Sequence, residues 1–111
     1  MSSEIRLKKE KDFNLVFNKG KRLFSSSLTL VYVKAENMKV GYAVGKKHGS
    51  SVKRNRIKRL LRESFRSFVP ILKQDFFFVF IPKVSNEEYT LENFKENMKF
   101  LFSKGGMIEK C

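Results

Sequence analysis

The stretch that most constrains this chain is Phe76 to Ile81, FFFVFI. An uninterrupted apolar run of this length, closed by Pro82, is strand-sized. Neighbouring residues of a strand point to opposite faces, so this one needs apolar cover on both. It therefore belongs in the interior of a sheet, and the rest of the chain must supply the cover.

Periodicity indicates where the cover comes from. Phe13, Val16 and Phe17 recur at i, i+3 and i+4, which predicts a helix from about Glu10 to Lys19 with Gly20 as its C′ residue. The following KRLFSSS suits a short strand or a loop. Leu28–Lys34 is rich in β-branched and aromatic residues and predicts a strand. Val40–Val44 predicts another, and a turn over residues 36–39 would join the two as an antiparallel hairpin. Gly49 then breaks the chain, and Ser50 or Ser51 offers an N-cap. From residue 52 to 68 a helix presents Ile57, Leu60, Leu61, Ser64, Phe65 and Phe68 on one face, and Pro70 stops it. A last helix over residues 90–103 buries Leu91, Phe94, Met98, Leu101 and Phe102, with Gly105 and Gly106 at its end. Ile5 and Leu7 have the spacing to pair at a sheet edge, but residues 1–9 and 104–111 are expected to fray. A strand–helix–strand order implies a partly parallel sheet. The expectation is one α+β domain over residues 1–111, a two-layer α/β sandwich in which helices pack on a mixed sheet.

The second face of the helix at residues 52–68 carries the charge. Asn55, Arg59, Arg62 and Arg66 recur at i, i+4, i+7 and i+11. Lys53 and Lys58 flank them, and Arg54 and Arg56 spread the charge around the first turn. The chain holds 24 Lys+Arg against 11 Asp+Glu, a net charge of +13, so an anionic partner is expected. A run of cations is often only a solvated helix face. Against that reading, Glu63 is the only acid in the segment, and several cations sit near the helix N-terminus, where the dipole opposes them. Arginine also suits forked contacts to phosphate. Just upstream, Lys46 and Lys47 form either an ordinary loop or a phosphate site beside free N–H groups.

Catalytic groups are scarce. His48 is the only histidine and Cys111 the only cysteine, so neither zinc spacing nor a multi-histidine centre is available. The acids are dispersed, and Glu87-Glu88 reads as a solvated turn. His48 fits a backbone or phosphate contact better than a general base. No residue is assigned a catalytic or metal-ligating role, and no cofactor is expected on the protein. No secretory signal and no apolar run of roughly 18–20 residues is present, which points to the cytoplasm rather than a membrane. The glycine spacing matches no nucleotide-cradle fingerprint. Phe13, Phe17, Tyr32 and Tyr42 lie near basic residues, as single-strand binders require. For Phe13 and Phe17, cleft and core stand about even.

The segment from Val52 to Arg66, VKRNRIKRLLRESFR, resembles the protein subunit of bacterial ribonuclease P. Leu7-Lys8-Lys9, Asp12-Phe13, Val16-Phe17 and Gly20 match that family's first helix. Val44-Gly45-Lys46-Lys47 matches a strand end, and Ile81-Pro82-Lys83 the segment after its buried strand. His48 and Ser51 depart from the aliphatic residue and the alanine usual there. An aromatic of the family's first long strand corresponds to Val31 or Tyr32. The resemblance implies a ribonucleoprotein enzyme, an endoribonuclease that removes the 5′ leader from precursor tRNA and leaves a 5′-phosphate. Its catalytic centre is in the RNA, which uses Mg2+. It implies that Lys53, Arg54, Asn55, Arg56, Lys58, Arg59, Arg62 and Arg66 bind the catalytic RNA. Phe13, Phe17, Lys46, Lys47 and Lys83 would hold the single-stranded leader. It also implies a left-handed β-α-β crossover, against the usual hand. Neither a membrane nor DNA is an expected partner. The alternatives are a general basic module for ribosome-associated or structured RNA, and a protein-only nuclease.

Overall fold

A computed structural model describes residues 6–85 and 88–109. Its elements are α1 (Glu10–Lys19), β1 (Lys21–Phe24), β2 (Leu28–Lys34), β3 (Lys39–Tyr42), α2 (Ser51–Arg66), β4 (Phe76–Pro82) and α3 (Leu91–Gly105). Short 3-10 turns cover Lys46–His48 and Val69–Ile71.

The apolar run forms β4 and takes an interior place in a sheet of order β1-β2-β4-β3. It pairs antiparallel with β2 along its whole length, Leu28↔Pro82 to Lys34↔Phe76. Its other edge pairs parallel with β3. The hairpin expected between β2 and β3 is therefore not formed, because β4 lies between them. The intervening segment also carries Met38, which is buried in the core and would be exposed at the tip of a tight turn.

Alternation along β4 divides the core. Phe78 and Phe80 join Leu28, Leu30, Ile57, Leu61, Phe65, Met98 and Phe102 on the face covered by α2 and α3. Val79 joins Leu7, Val16 and Val31 on the face covered in part by α1. Phe102 is the hub of the larger cluster. Its ring meets those of Phe65, Phe68, Phe78 and Phe80 at centroid distances of 6.1, 5.3, 5.7 and 5.8 Å. Each buried aromatic contributes roughly 1.5–3 kcal/mol through area removed from water.

Several boundaries differ from the expected ones for steric reasons. Gly20 ends α1 in an extended conformation (φ −79°), not the left-handed one expected of a C′ glycine. It is needed for close approach: a Cβ there would sit 2.4 Å from the Val16 carbonyl oxygen and 2.8 Å from that of Tyr32. Helix α2 stops at Arg66, before Pro70, which lies inside the second 3-10 turn. Phe68 still packs on the core from outside the helix. Thr90 caps α3 by accepting from the Asn93 N–H at 3.0 Å, and Gly106 closes it in the left-handed region (φ 71°).

The described chain ends are tied down, contrary to the fraying expected. The Leu7 N–H donates to the Val40 carbonyl at 2.9 Å, which extends the β3 edge, and the Leu7 side chain is buried. Met107 is buried too, and Ile108 bridges Leu72. Apolar residues at both ends drive this docking. Ile5 and Cys111 lie outside the described residues.

Candidate RNA-binding surface

The site begins at the turn before α2. Gly49 has φ 109°, a conformation side chains disfavour, and it redirects the chain into the helix. Ser50 then caps α2, its Oγ accepting from the Lys53 N–H at 3.3 Å. Ile57, Leu61, Ser64 and Phe65 are buried, and the Phe65 ring lies 6.0 and 5.9 Å from those of Phe78 and Phe80 on β4. This anchoring fixes the helix's rotation. Asn55, Arg59, Arg62 and Arg66 are consequently exposed together, with Lys53 and Arg56 exposed nearby and Arg54 and Lys58 half-buried.

Two of these cations are engaged with the protein. Arg54 Nε donates to the Gly49 carbonyl at 3.1 Å, which closes the turn. Arg56 donates through both terminal nitrogens to Glu88, at 3.3 Å each. This hydrogen bond holds the Glu88 carboxyl below its usual range, and the charges of Arg56 and Lys53 add to the effect. Among the described residues, the other ion pair is Lys34–Asp75 at 3.1 Å. No described carboxylate pairs with Arg59, Arg62 or Arg66. Tyr42 is stacked on Phe80 within the fields of Arg62, Arg66 and Arg6, and burial raises its phenol despite them.

A second surface lies on the other sheet face. Phe13 and Phe17 stack with centroids 6.5 Å apart. Both are half-buried and pack on the small cluster of Leu7, Val16, Val31 and Val79, so each covers the core with one part of its ring and leaves another part exposed. Gly41 makes room for this: a Cβ there would be 2.6 Å from the Phe13 ring. The Arg22 guanidinium lies 5.9 Å from the Phe17 centroid. Beyond α1, a groove of about 710 Å³ is floored by Thr29, Ala43 and Ile81 and rimmed by Lys47 and Lys83. Lys46 is exposed on the same 3-10 turn as Lys47 but does not line the groove.

The loop between these surfaces joins them. Lys47 and His48 line this groove and also a second one, of about 440 Å³, walled by Lys53, Arg56 and Leu60 of α2. His48 Nε2 donates to the Pro82 carbonyl at 3.0 Å, pinning the loop to the end of β4. Of the backbone or phosphate contact expected of it, this is a backbone one.

The structure separates the aromatics that the sequence grouped together. Tyr32 and Tyr42 pack on the α2/α3 side, away from Phe13 and Phe17. Val31, not Tyr32, faces α1. Sequence reasoning also passed over Arg22 and the tertiary role of Glu88. Alternation within KRLF was available as a signal for Arg22. Nothing local indicated that Glu88 meets Arg56. Among the described residues, no three His, Cys, Asp or Glu side chains gather to hold a metal ion, and no helix is long and apolar enough to cross a membrane.

Comparison with known proteins finds relatives of the chain and of its fold. A family model described as Ribonuclease P matches residues 1–106. The ribonuclease P protein component of Dictyoglomus turgidum is 37% identical, over 96% of this chain and 93% of that protein. That of Alkaliphilus metalliredigens is 34% identical, over 97% and 99%. Among solved structures, the RNase P protein from Thermotoga maritima superposes with a TM-score of 0.79 at 28% identity, covering 89% of this chain and 96% of that one. The Staphylococcus aureus RNase P protein has a TM-score of 0.82 at 21% identity, over 95% and 98%, which is a likeness of fold.

Proposed function

The chain belongs to the ribonuclease P protein family, and from that premise we propose that it binds the catalytic RNA of ribonuclease P through α2 and the 5′ leader of precursor tRNA through the α1-side groove. The observation that carries this is the stripe of Arg59, Arg62 and Arg66, exposed on an anchored helix with no described carboxylate partner. Burial of the opposite face holds these side chains at one height and spacing, as a phosphate-binding surface requires. Asn55, Lys53 and Lys58 extend it, Arg54 contributes its terminal nitrogens, and Arg56 joins when released from Glu88.

On the other face, Phe13 and Phe17 offer half-exposed rings to unpaired bases, while Lys47 and Lys83 meet the phosphates, with Lys46 beside them. The loop at Lys47–His48 borders both surfaces, so one RNA docked on α2 would present substrate to the groove. Cleavage of the leader to leave a 5′-phosphate is assigned to the catalytic RNA and its Mg2+. The protein contributes positioning and charge and acts in the cytoplasm, with RNA rather than DNA as its partner.

Reconstitution tests this reading. Added to its cognate catalytic RNA at low magnesium, the chain should stimulate leader removal and bind precursor more tightly than mature tRNA. Equal affinity for unrelated structured RNAs, with no gain in cleavage, would instead indicate a general RNA-binding module.

A further inference from the structure

Phe24 lies at the end of β1 and is 55% exposed. It belongs to neither hydrophobic cluster. Its register partner is Thr29, and Arg22 pairs with Val31, so both β1 side chains project to the α1 side of the sheet. Thr29 floors the large groove, which places the Phe24 ring at the groove's β1 edge.

One charged group accompanies the ring. Lys83 Nζ is 5.8 Å from the Phe24 centroid and donates to the Ser25 carbonyl at 2.6 Å. The Lys83 N–H donates to the Ser27 carbonyl at 2.9 Å, so the β1–β2 turn and the end of β4 are tied together beneath this pair. At 5.8 Å the ammonium is near the outer limit of a cation–π contact and leaves ring surface uncovered. With one of its three donors on Ser25, it keeps others for an anion. The same association of ring and cation occurs between Phe17 of α1 and Arg22, which stands two residues before Phe24 on β1.

We propose that Phe24 is a further substrate-binding residue, stacking one unpaired base of the leader while Lys83 contacts the adjoining phosphate. This rests on the leader reading given above and extends the bound track across the sheet to the edge strand. An exposed phenyl ring that supports no core has no packing role to explain it. A base has an apolar face to match it and a phosphate to match Lys83. Stacking tolerates any base, so the contact adds affinity and reach without sequence reading.

The test uses the holoenzyme reconstituted with cognate catalytic RNA and precursor tRNAs carrying 2-aminopurine at successive leader positions. With the native protein, one position should be quenched through Phe24. Phe24→Ala should abolish that quenching and weaken precursor binding about 5- to 100-fold, the range for removing one stack. Mature tRNA binding, catalytic-RNA binding and the melting temperature should be unchanged, and Phe24→Tyr should restore quenching. Unchanged precursor affinity in Phe24→Ala, alongside weaker precursor binding in Phe17→Leu, would overturn this inference and leave the leader reading intact. A weakened catalytic-RNA complex, or a melting temperature lowered by several degrees, would also overturn it. If the native holoenzyme does not distinguish precursor from mature tRNA, both readings fall.

Discussion

Arg56 and Glu88 form a forked pair, with two hydrogen bonds of 3.3 Å joining a guanidinium on α2 to a carboxylate just before α3. The carboxylate occupies the donor geometry that a phosphate would use. Glu88→Gln should therefore raise affinity for the catalytic RNA about two- to five-fold, a small gain because the pair is exposed. Equilibrium binding at fixed salt measures this. Unchanged or weaker binding would show that Glu88 does not compete for Arg56.

The same pair has a pH signature. Arg56 lowers the Glu88 carboxyl, so the pair's contribution is present above the ordinary carboxylate range. It disappears as pH falls through the lowered value. Arg56→Leu should move the Glu88 titration upward, toward the ordinary value, when followed by carboxyl-carbon NMR. An unmoved titration would mean that the fork does not persist in solution.

Arg59 and Arg62 are exposed and have no described carboxylate partner. Arg59→Ala or Arg62→Ala should weaken catalytic-RNA binding on the order of tenfold, the equivalent of one charge-assisted hydrogen bond. The slope of log affinity against log salt should become shallower by about one for each phosphate that is no longer neutralised. The melting temperature should hold. A salt slope identical to that of the native chain would reduce the stripe to a solvated face.

Phe17 packs on the α1-side cluster and lies beneath Arg22, so alanine confounds two effects. Phe17→Leu keeps most of the apolar cover and removes the aromatic face. It should weaken precursor binding several-fold more than mature tRNA binding, with a loss of stability below about 1.5 kcal/mol. Equal weakening for both RNAs would make Phe17 a core residue only.

Gly20→Ala should destabilise the fold by about 1–3 kcal/mol, because the new Cβ meets two backbone carbonyl oxygens that cannot rotate away. The midpoint of urea unfolding reads this directly. An unchanged midpoint would show that the α1–β1 junction yields freely.

Much of the molecule was legible in local pattern. The amphipathic period of residues 52–68 divided α2 into the face that is buried and the face that is charged, and Ser50 was a readable cap. The apolar run at residues 76–81 required cover on two sides and received it at Phe78, Val79 and Phe80, whereas Phe76, Phe77 and Ile81 are only partly covered. Helix α3 and its buried stripe followed from spacing, with Leu91 only partly buried. The likeness of residues 52–66 to the ribonuclease P protein subunit agreed with the family match over residues 1–106.

What remained illegible depended on contacts distant in sequence. Alternation shows that Val31 and Tyr32 face opposite sides, but only packing decided that Val31 meets α1 and Tyr32 does not. Two adjacent strand-like segments suggest a hairpin, yet β4 took the place between β2 and β3, because its apolar surface is best covered in the sheet interior. Glu88 reads locally as part of a solvated turn, and the fold brings it to Arg56 across 32 positions of sequence. Periodicity determines which side chains share a face of one element, since that follows from backbone geometry alone. Which faces then meet is decided by burying the most apolar surface at once, and that choice belongs to the tertiary structure.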